Sequence, residues 1–177
     1  MKLYFVRHGH NEASPSTIPN PETGELDEPL DELGVEQAEA IALELRDIHF
    51  DAVITSALKR TRQTAEIINH FHNLPIVINN DWREREVGGY VEYEIWKTLF
   101  DFDTNIAPVR GETLRDFFTR AYAAFDKLKA EYADKTVLIA GHGGIHLALY
   151  TYANNFPLSG KLRVDPLHNC ELRIYEL

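Results

Sequence analysis

The 177-residue sequence predicts an α/β fold: a three-layer sandwich with a mostly parallel central sheet flanked by helices on both faces, and a small lid insertion. Two observations predict it. Short runs rich in β-branched and aromatic residues alternate with longer stretches of helical period, and strands separated by helices pair in parallel. The chain is also about one domain long, and 44% hydrophobic content suffices for a substantial core, so residues 1–177 read as a single domain.

The first strand is Leu3 to Val6, ending abruptly in Arg7, His8 and Gly9. An irregular stretch from Glu12 to Pro29 carries four prolines. A helix follows from about Asp31, a suitable N-cap, to Arg46, with Ala38, Ile41, Ala42, Leu45 and Ile48 spaced along one buried face. Ala52 to Thr55 is the second strand, and a helix from Leu58 to about Phe71 begins soon after it. Ile76 to Ile78 is a short third strand. Arg85 to Arg110 is irregular and holds Tyr90, Tyr93, Trp96, Phe100 and Phe102, a composition that suits a lid or binding loop. The clearest helix is Leu114 to Tyr132, where Leu114, Phe117, Phe118, Ala121, Tyr122, Phe125 and Leu128 form one core-facing stripe. Thr136 to Ala140 and Leu172 to Tyr175 complete the strands.

Eighteen basic against twenty-eight acidic residues give a net charge of −10, with no basic run, which argues against nucleic acid or an anionic membrane as partner. Only four apolar residues separate Lys2 from Arg7, too few for a signal peptide, and no later stretch approaches a membrane span. A cytoplasmic location is therefore expected. The single cysteine, Cys170, cannot form an internal disulfide, which agrees with a reducing compartment.

In an open α/β sheet, ligands bind beyond the carboxyl ends of the strands. Arg7, His8 and Gly9 follow the first strand, Ser56 and Arg60 the second, Glu84 the third, and Gly141, His142, Gly143 and Gly144 the fourth. Two arginines, two histidines and a glutamate gathered at one sheet edge form a phosphate-handling set. Guanidinium offers a planar fork matched to phosphate oxygens. Neutral imidazole is a competent nucleophile near pH 7, and its attack on phosphorus gives a phosphohistidine that water hydrolyses. Gly9, Gly143 and Gly144 permit close backbone approach, and Glu84 is placed to protonate a leaving oxygen. The expected partner is a small phosphorylated metabolite, and this chemistry calls for no cofactor.

VRHG, LDELGVEQA, SALKRTRQTAE, REREVGG, RGET and IAGHGG, in that order, resemble blocks of the histidine phosphatase superfamily, with its phosphoglycerate mutase-like fold. RHG alone would be weak; six ordered blocks covering most of the chain are not. The resemblance implies that His8 is the phosphorylated nucleophile. It likewise implies that Arg7, Arg60 and His142 hold the phosphoryl oxygens, and that Glu84, four residues before Gly88, is the proton donor. The family commonly follows RHG with Glu or Gln and then Thr or Ser, with an Asn a few residues on; here His10 and Asn11 take the first two places and Ser14 the third. Asn11 can still donate to a phosphate oxygen. The family's usual Thr after the leucine of its LT block is Asp31.

Other readings of these residues stand beside this one. His10 is either an accessory site residue or a surface group. His8 with His10 and His142 with His146 have metal-ligating spacings, which leaves a metal-dependent hydrolase as an alternative, although no carboxylate adjoins either pair. Glu84 and Glu86 flank Arg85, with Glu86 the more solvated; Arg62 points away from Arg60 on the helix. Glu112 at a helix start is either structural or catalytic. Mutases of the family carry several basic residues on longer insertions, whereas this insertion offers Arg85, Lys97 and Arg110 among aromatics. A phosphomonoesterase is the expectation; a mutase and a non-catalytic phospho-ligand binding module are the alternatives. Oligomeric state and natural substrate are left open.

Overall fold

Lys2–Arg7 (β1), Ala52–Thr55 (β2), Ile76–Ile78 (β3), Thr136–Gly141 (β4) and Leu172–Glu176 (β5) form one sheet in the order β3-β2-β4-β1-β5. The computed structural model describes residues 1–12, 27–85, 100–104, 106–107, 111–162 and 164–177. β1 to β4 pair in parallel, whereas β5 runs antiparallel to β1. Parallel pairing therefore fails for the last strand. Its amide neighbour Cys170 donates to the Arg7 carbonyl (3.0 Å), so the chain reaches β5 at the carboxyl end of β1 and must run back down it.

Among the described residues, four helices cover the sheet: Glu32–Leu45 (α1), Lys59–Asn69 (α2), Leu114–Glu131 (α3) and Gly143–Ala153 (α4). Period-two alternation sorts the core. Leu3, Phe5, Ile54, Val137 and Ile139 point to the face packed by α3 and α4. Tyr4, Val6, Val53, Leu138 and Ala140 point to the face packed by α1 and α2. The α3 stripe is buried as its spacing requires, save Tyr122, which is half-buried. Phe102, one of the aromatics of the expected insertion, joins the core: it is 3% exposed and packs edge-on against Phe118, with ring centroids 4.9 Å apart. Most of the lid expectation, with Tyr90, Tyr93 and Trp96, lies outside the described residues, as do Ser14, Glu86, Gly88, Lys97 and Arg110.

Candidate active site

The chain leaves β1 for α1 on one face and β4 for α4 on the other, so a crevice opens where these neighbouring strands end. Arg7 and Gly141 are register partners there, and the His8 amide donates to the Gly141 carbonyl (2.9 Å). The rings of His8 and His142 stand 5.4 Å apart, centroid to centroid.

His8 is buried, and its Nδ1 lies 2.8 Å from the Gly9 carbonyl oxygen. A carbonyl only accepts, so the proton is on Nδ1 and the Nε2 lone pair is left for chemistry. Burial, and to a lesser degree the charges of Arg60 and Arg7, lower the His8 pKa to about 3, which keeps the ring neutral. The loop around it is held at several points. Gly9 N–H donates to Thr64 Oγ1 (3.1 Å), and Asn169 Nδ2 donates to the His8 carbonyl (2.9 Å).

His142 is fully buried, with Nδ1 3.3 Å from Arg60 Nη2 and Nε2 2.8 Å from Ser56 Oγ. Guanidinium only donates, so Nδ1 accepts and the neutral ring carries its proton on Nε2. That proton goes to Ser56 Oγ, which passes its own to Thr61 Oγ1 (2.8 Å), which donates to the Leu58 carbonyl (2.9 Å). The chain of donors has one consistent direction and fixes the tautomer. Arg7 Nη1 is anchored on the Leu167 carbonyl (2.5 Å), while its buried Nε faces no acceptor among the described residues. A donor so placed beside His8 suits an anion.

Glu84 accepts from the Gly144 amide at Oε2 (3.0 Å) and from the Arg85 amide at Oε1 (2.9 Å). Gly144 heads α4, whose N-terminus favours a nearby negative charge. A β-carbon on Gly143 would rest 3.6 Å from Arg7 Nε and 3.9 Å from Glu84 Oε2, so this glycine lies between the two. The structure thus brings together His8, His142, Arg7, Arg60, Glu84 and Gly143. Asn11 is half-buried, and no hydrogen bond ties its side chain to them among the described residues. A cavity of about 560 Å³ opens beside Arg7, Glu84 and Gly143 and continues past Phe117, Leu147 and Val164.

The remaining candidates separate. His10 Nδ1 binds Asp31 Oδ2 (2.5 Å), and Asp31 Oδ1 caps α1 at the Gly34 amide (2.8 Å). His146 turns its Nε2 to Tyr175 (2.8 Å). Among the described residues, no three His, Cys, Asp or Glu side chains gather as metal ligands. Arg62 pairs with Glu66 on the surface (3.7 Å). Arg85 is buried, 7% exposed, with its guanidinium on the Glu112 carbonyl, so it does not belong to a solvated cluster. The sequence does not single out Thr64 and Asn169, which hold the loop at Gly9 and His8, or Gln37, whose Oε1 accepts from the His10 amide (2.9 Å). Thr64 leaves one trace in the sequence, a polar residue on the inward face of α2.

A family model described as the histidine phosphatase superfamily (branch 1) matches residues 3–177. The chain belongs to the histidine phosphatase superfamily. The uncharacterized phosphatase PhoE of Bacillus subtilis is 34% identical over 147 residues, covering 83% of this chain and 74% of the relative. The adenosylcobalamin/alpha-ribazole phosphatase of Salmonella typhimurium is 28% identical over 158 residues, covering 82% and 75%. Among solved structures, Bacillus stearothermophilus YhfR superposes with a TM-score of 0.81 at 24% identity, covering 99% of this chain and 91% of that one, a likeness of fold. Family membership and fold agree with the resemblance read from VRHG to IAGHGG.

The buried histidines of this histidine phosphatase make its stability pH-dependent. Burial lowers the pKa of His8 to about 3, of His146 to about 4, and of His142 well below the ordinary 6.5. The unfolded chain binds these protons near pH 6.5 and the folded chain resists them, so stability is full above that pH and falls as pH drops below it. Each histidine is expected to remove roughly 1–2 kcal/mol at about pH 5. Urea denaturation at about pH 7.5 and pH 5 measures the loss. His146→Gln, which keeps a partner for Tyr175 away from the site, should reduce the difference; an unchanged difference contradicts the assignment to His146.

Proposed function

We propose that the protein is a metal-independent phosphatase that hydrolyses small phosphomonoesters through a covalent phosphohistidine at His8. The observation that carries this reading is the hydrogen bond of the buried His8 ring from Nδ1 to the Gly9 carbonyl, which leaves the Nε2 lone pair for attack. Its Nε2 lone pair forms the bond to phosphorus as the bond from phosphorus to the alcohol oxygen breaks, and Glu84 gives that oxygen its proton. Water then attacks phosphorus, its proton goes to Glu84, and the electron pair of the N–P bond returns to Nε2. Arg7 and Arg60 surround the phosphoryl oxygens, where negative charge is concentrated in the transition state, and His142 holds the Arg60 guanidinium through Nδ1.

The proton donor also marks the side from which the alcohol departs. Glu84 lines the cavity whose further walls include Phe117, Leu147 and Val164, so the favoured alcohol is uncharged and apolar. Arg85 lines the cavity too, but its Nε and Nη2 donate to the Glu112 carbonyl rather than to the cavity's contents. The test is hydrolysis, in EDTA, of p-nitrophenyl, benzyl and glycerol phosphates. Benzyl phosphate should exceed glycerol phosphate at least about tenfold in kcat/KM, a methylene count of apolar contact being worth that much. Glu84→Gln should slow benzyl phosphate by on the order of 100-fold and p-nitrophenyl phosphate far less, because a poor leaving group needs the proton. Equal slowing of the two contradicts the acid role. Activity that vanishes in EDTA and returns with a divalent metal contradicts the metal-independent mechanism.

A further inference from the structure

Glu84 stands on a segment without regular secondary structure, directly after a single 3-10 turn, Asn80–Trp82, and Arg83. A proton donor must be held to within a fraction of an ångström of its target, and the Arg85 and Gly144 amides that grip the carboxyl can do so only if the segment carrying Glu84 and Arg85 is itself fixed. The holding groups come from elsewhere in the chain. Arg120, on α3, donates from Nη1 to the carbonyls of Asp81 (2.9 Å) and Arg83 (3.3 Å). Its Nη2 and Nε turn the other way, onto Glu112 Oε1 (2.5 Å) and Oε2 (3.3 Å). The guanidinium carbon lies 5.1 Å from the centroid of Phe117, a wall of the cavity beside Glu84.

Glu112 completes the clamp with its backbone. Its carbonyl accepts from both Nε and Nη2 of Arg85 (3.2 Å each), and the Arg85 amide donates to Glu84 Oε1 (2.9 Å). The residue before Glu84 is thus tied through its carbonyl to Arg120, and the residue after it through its guanidinium to Glu112. Both ties end on one ion pair whose two side chains are each 21% exposed. The planar fork of arginine reaches carbonyls and carboxylate at once; the single nitrogen of a lysine cannot.

We propose that Arg120, locked by Glu112, is the positioning residue that aims the Glu84 carboxyl at the leaving oxygen. This rests on the reading of Glu84 as proton donor. Loss of the clamp slows proton donation more than it slows attack by His8, and the two are separated by the leaving group. The test compares Arg120→Met, which keeps an apolar stem over Phe117, with Arg120→Lys, Glu112→Gln and Glu84→Gln on benzyl and p-nitrophenyl phosphates. Arg120→Met should lower kcat for benzyl phosphate about 30-fold or more, and for p-nitrophenyl phosphate less than about fivefold, with little change in KM. Glu112→Gln should move the same way by a smaller factor, and Arg120→Lys should fall between wild type and Arg120→Met. Adding Arg120→Met to Glu84→Gln should cost nothing further on benzyl phosphate. Equal losses on both esters, or additive losses in the double variant, overturn the proposal. If Arg120→Met does not fold, Glu112→Gln decides by the same criterion. If Glu84→Gln discriminates between the esters while Arg120→Met and Glu112→Gln do not, positioning falls and the acid role stands; if Glu84→Gln itself does not discriminate, both fall.

Discussion

His8→Ala is expected to lower phosphomonoester hydrolysis by at least about a thousandfold, because among the described residues no other group is presented as a nucleophile. His142 is the nearest substitute, and it cannot replace His8: Nε2 is committed to Ser56 and Nδ1 faces the Arg60 guanidinium. The fold should survive. The ring's one hydrogen bond among the described residues is to the adjacent residue's carbonyl, and removing a buried titratable ring takes away one of the groups that make the protein acid-sensitive. Circular dichroism and thermal unfolding should therefore match wild type near pH 7.5, with a smaller loss on acidification. Retained turnover in this variant would remove His8 from the mechanism.

Gly34→Ala is expected to lose about 3 kcal/mol of stability, and activity with it, although alanine is the better helix former. Gly34 lies in the first turn of α1, and a β-carbon there would overlap the His10 carbonyl oxygen. A β-carbon on Gly9 would overlap the Gly34 carbonyl in the same way. Backbone meets backbone at this crossing, so no side chain can swing aside. The contact seats the loop after the nucleophile on α1. Asp31 Oδ2 and Gln37 Oε1 bind His10 at its ring and amide (2.5 and 2.9 Å) as part of the same junction. A loss of 3 kcal/mol corresponds to a fall in Tm of roughly 6–12 °C for a chain of this size. A Tm within about 2 °C of wild type would mean that the crossing yields more than its geometry indicates.

Much of this was legible in the sequence because it is local. Strand spans were read to within one residue at either end, since each is a short β-rich run bounded by turn residues or charges. His8, Arg60, Glu84 and His142 could be placed together because each follows a strand, and the sheet gathers strand ends at one edge. What the sequence hid depends on pairs distant along the chain. Asp31 was readable as a helix cap and His10 as an oddity after RHG, but their pairing is tertiary. The direction of β5 turned on where residues 154–171 deliver the chain, and nothing periodic marks that. Arg120 sits among surface-like charges on α3 and gives no local sign of binding carbonyls 39 and 37 positions away. Gly34, like Thr64, left a hint: a glycine in a helix that Asp31 starts well and Ala38 continues well.

The most direct test of the account is to trap the intermediate. Wild type and His8→Ala, mixed with excess p-nitrophenyl phosphate in EDTA and quenched in acid or in alkali within milliseconds, are compared by intact mass and by peptide mapping. The account predicts one phosphoryl adduct on wild type, at His8, which survives alkali, decays in acid, forms at least as fast as turnover, and is missing from His8→Ala. Full turnover of wild type with no adduct formed at a competent rate, or an equal adduct on His8→Ala, would contradict it.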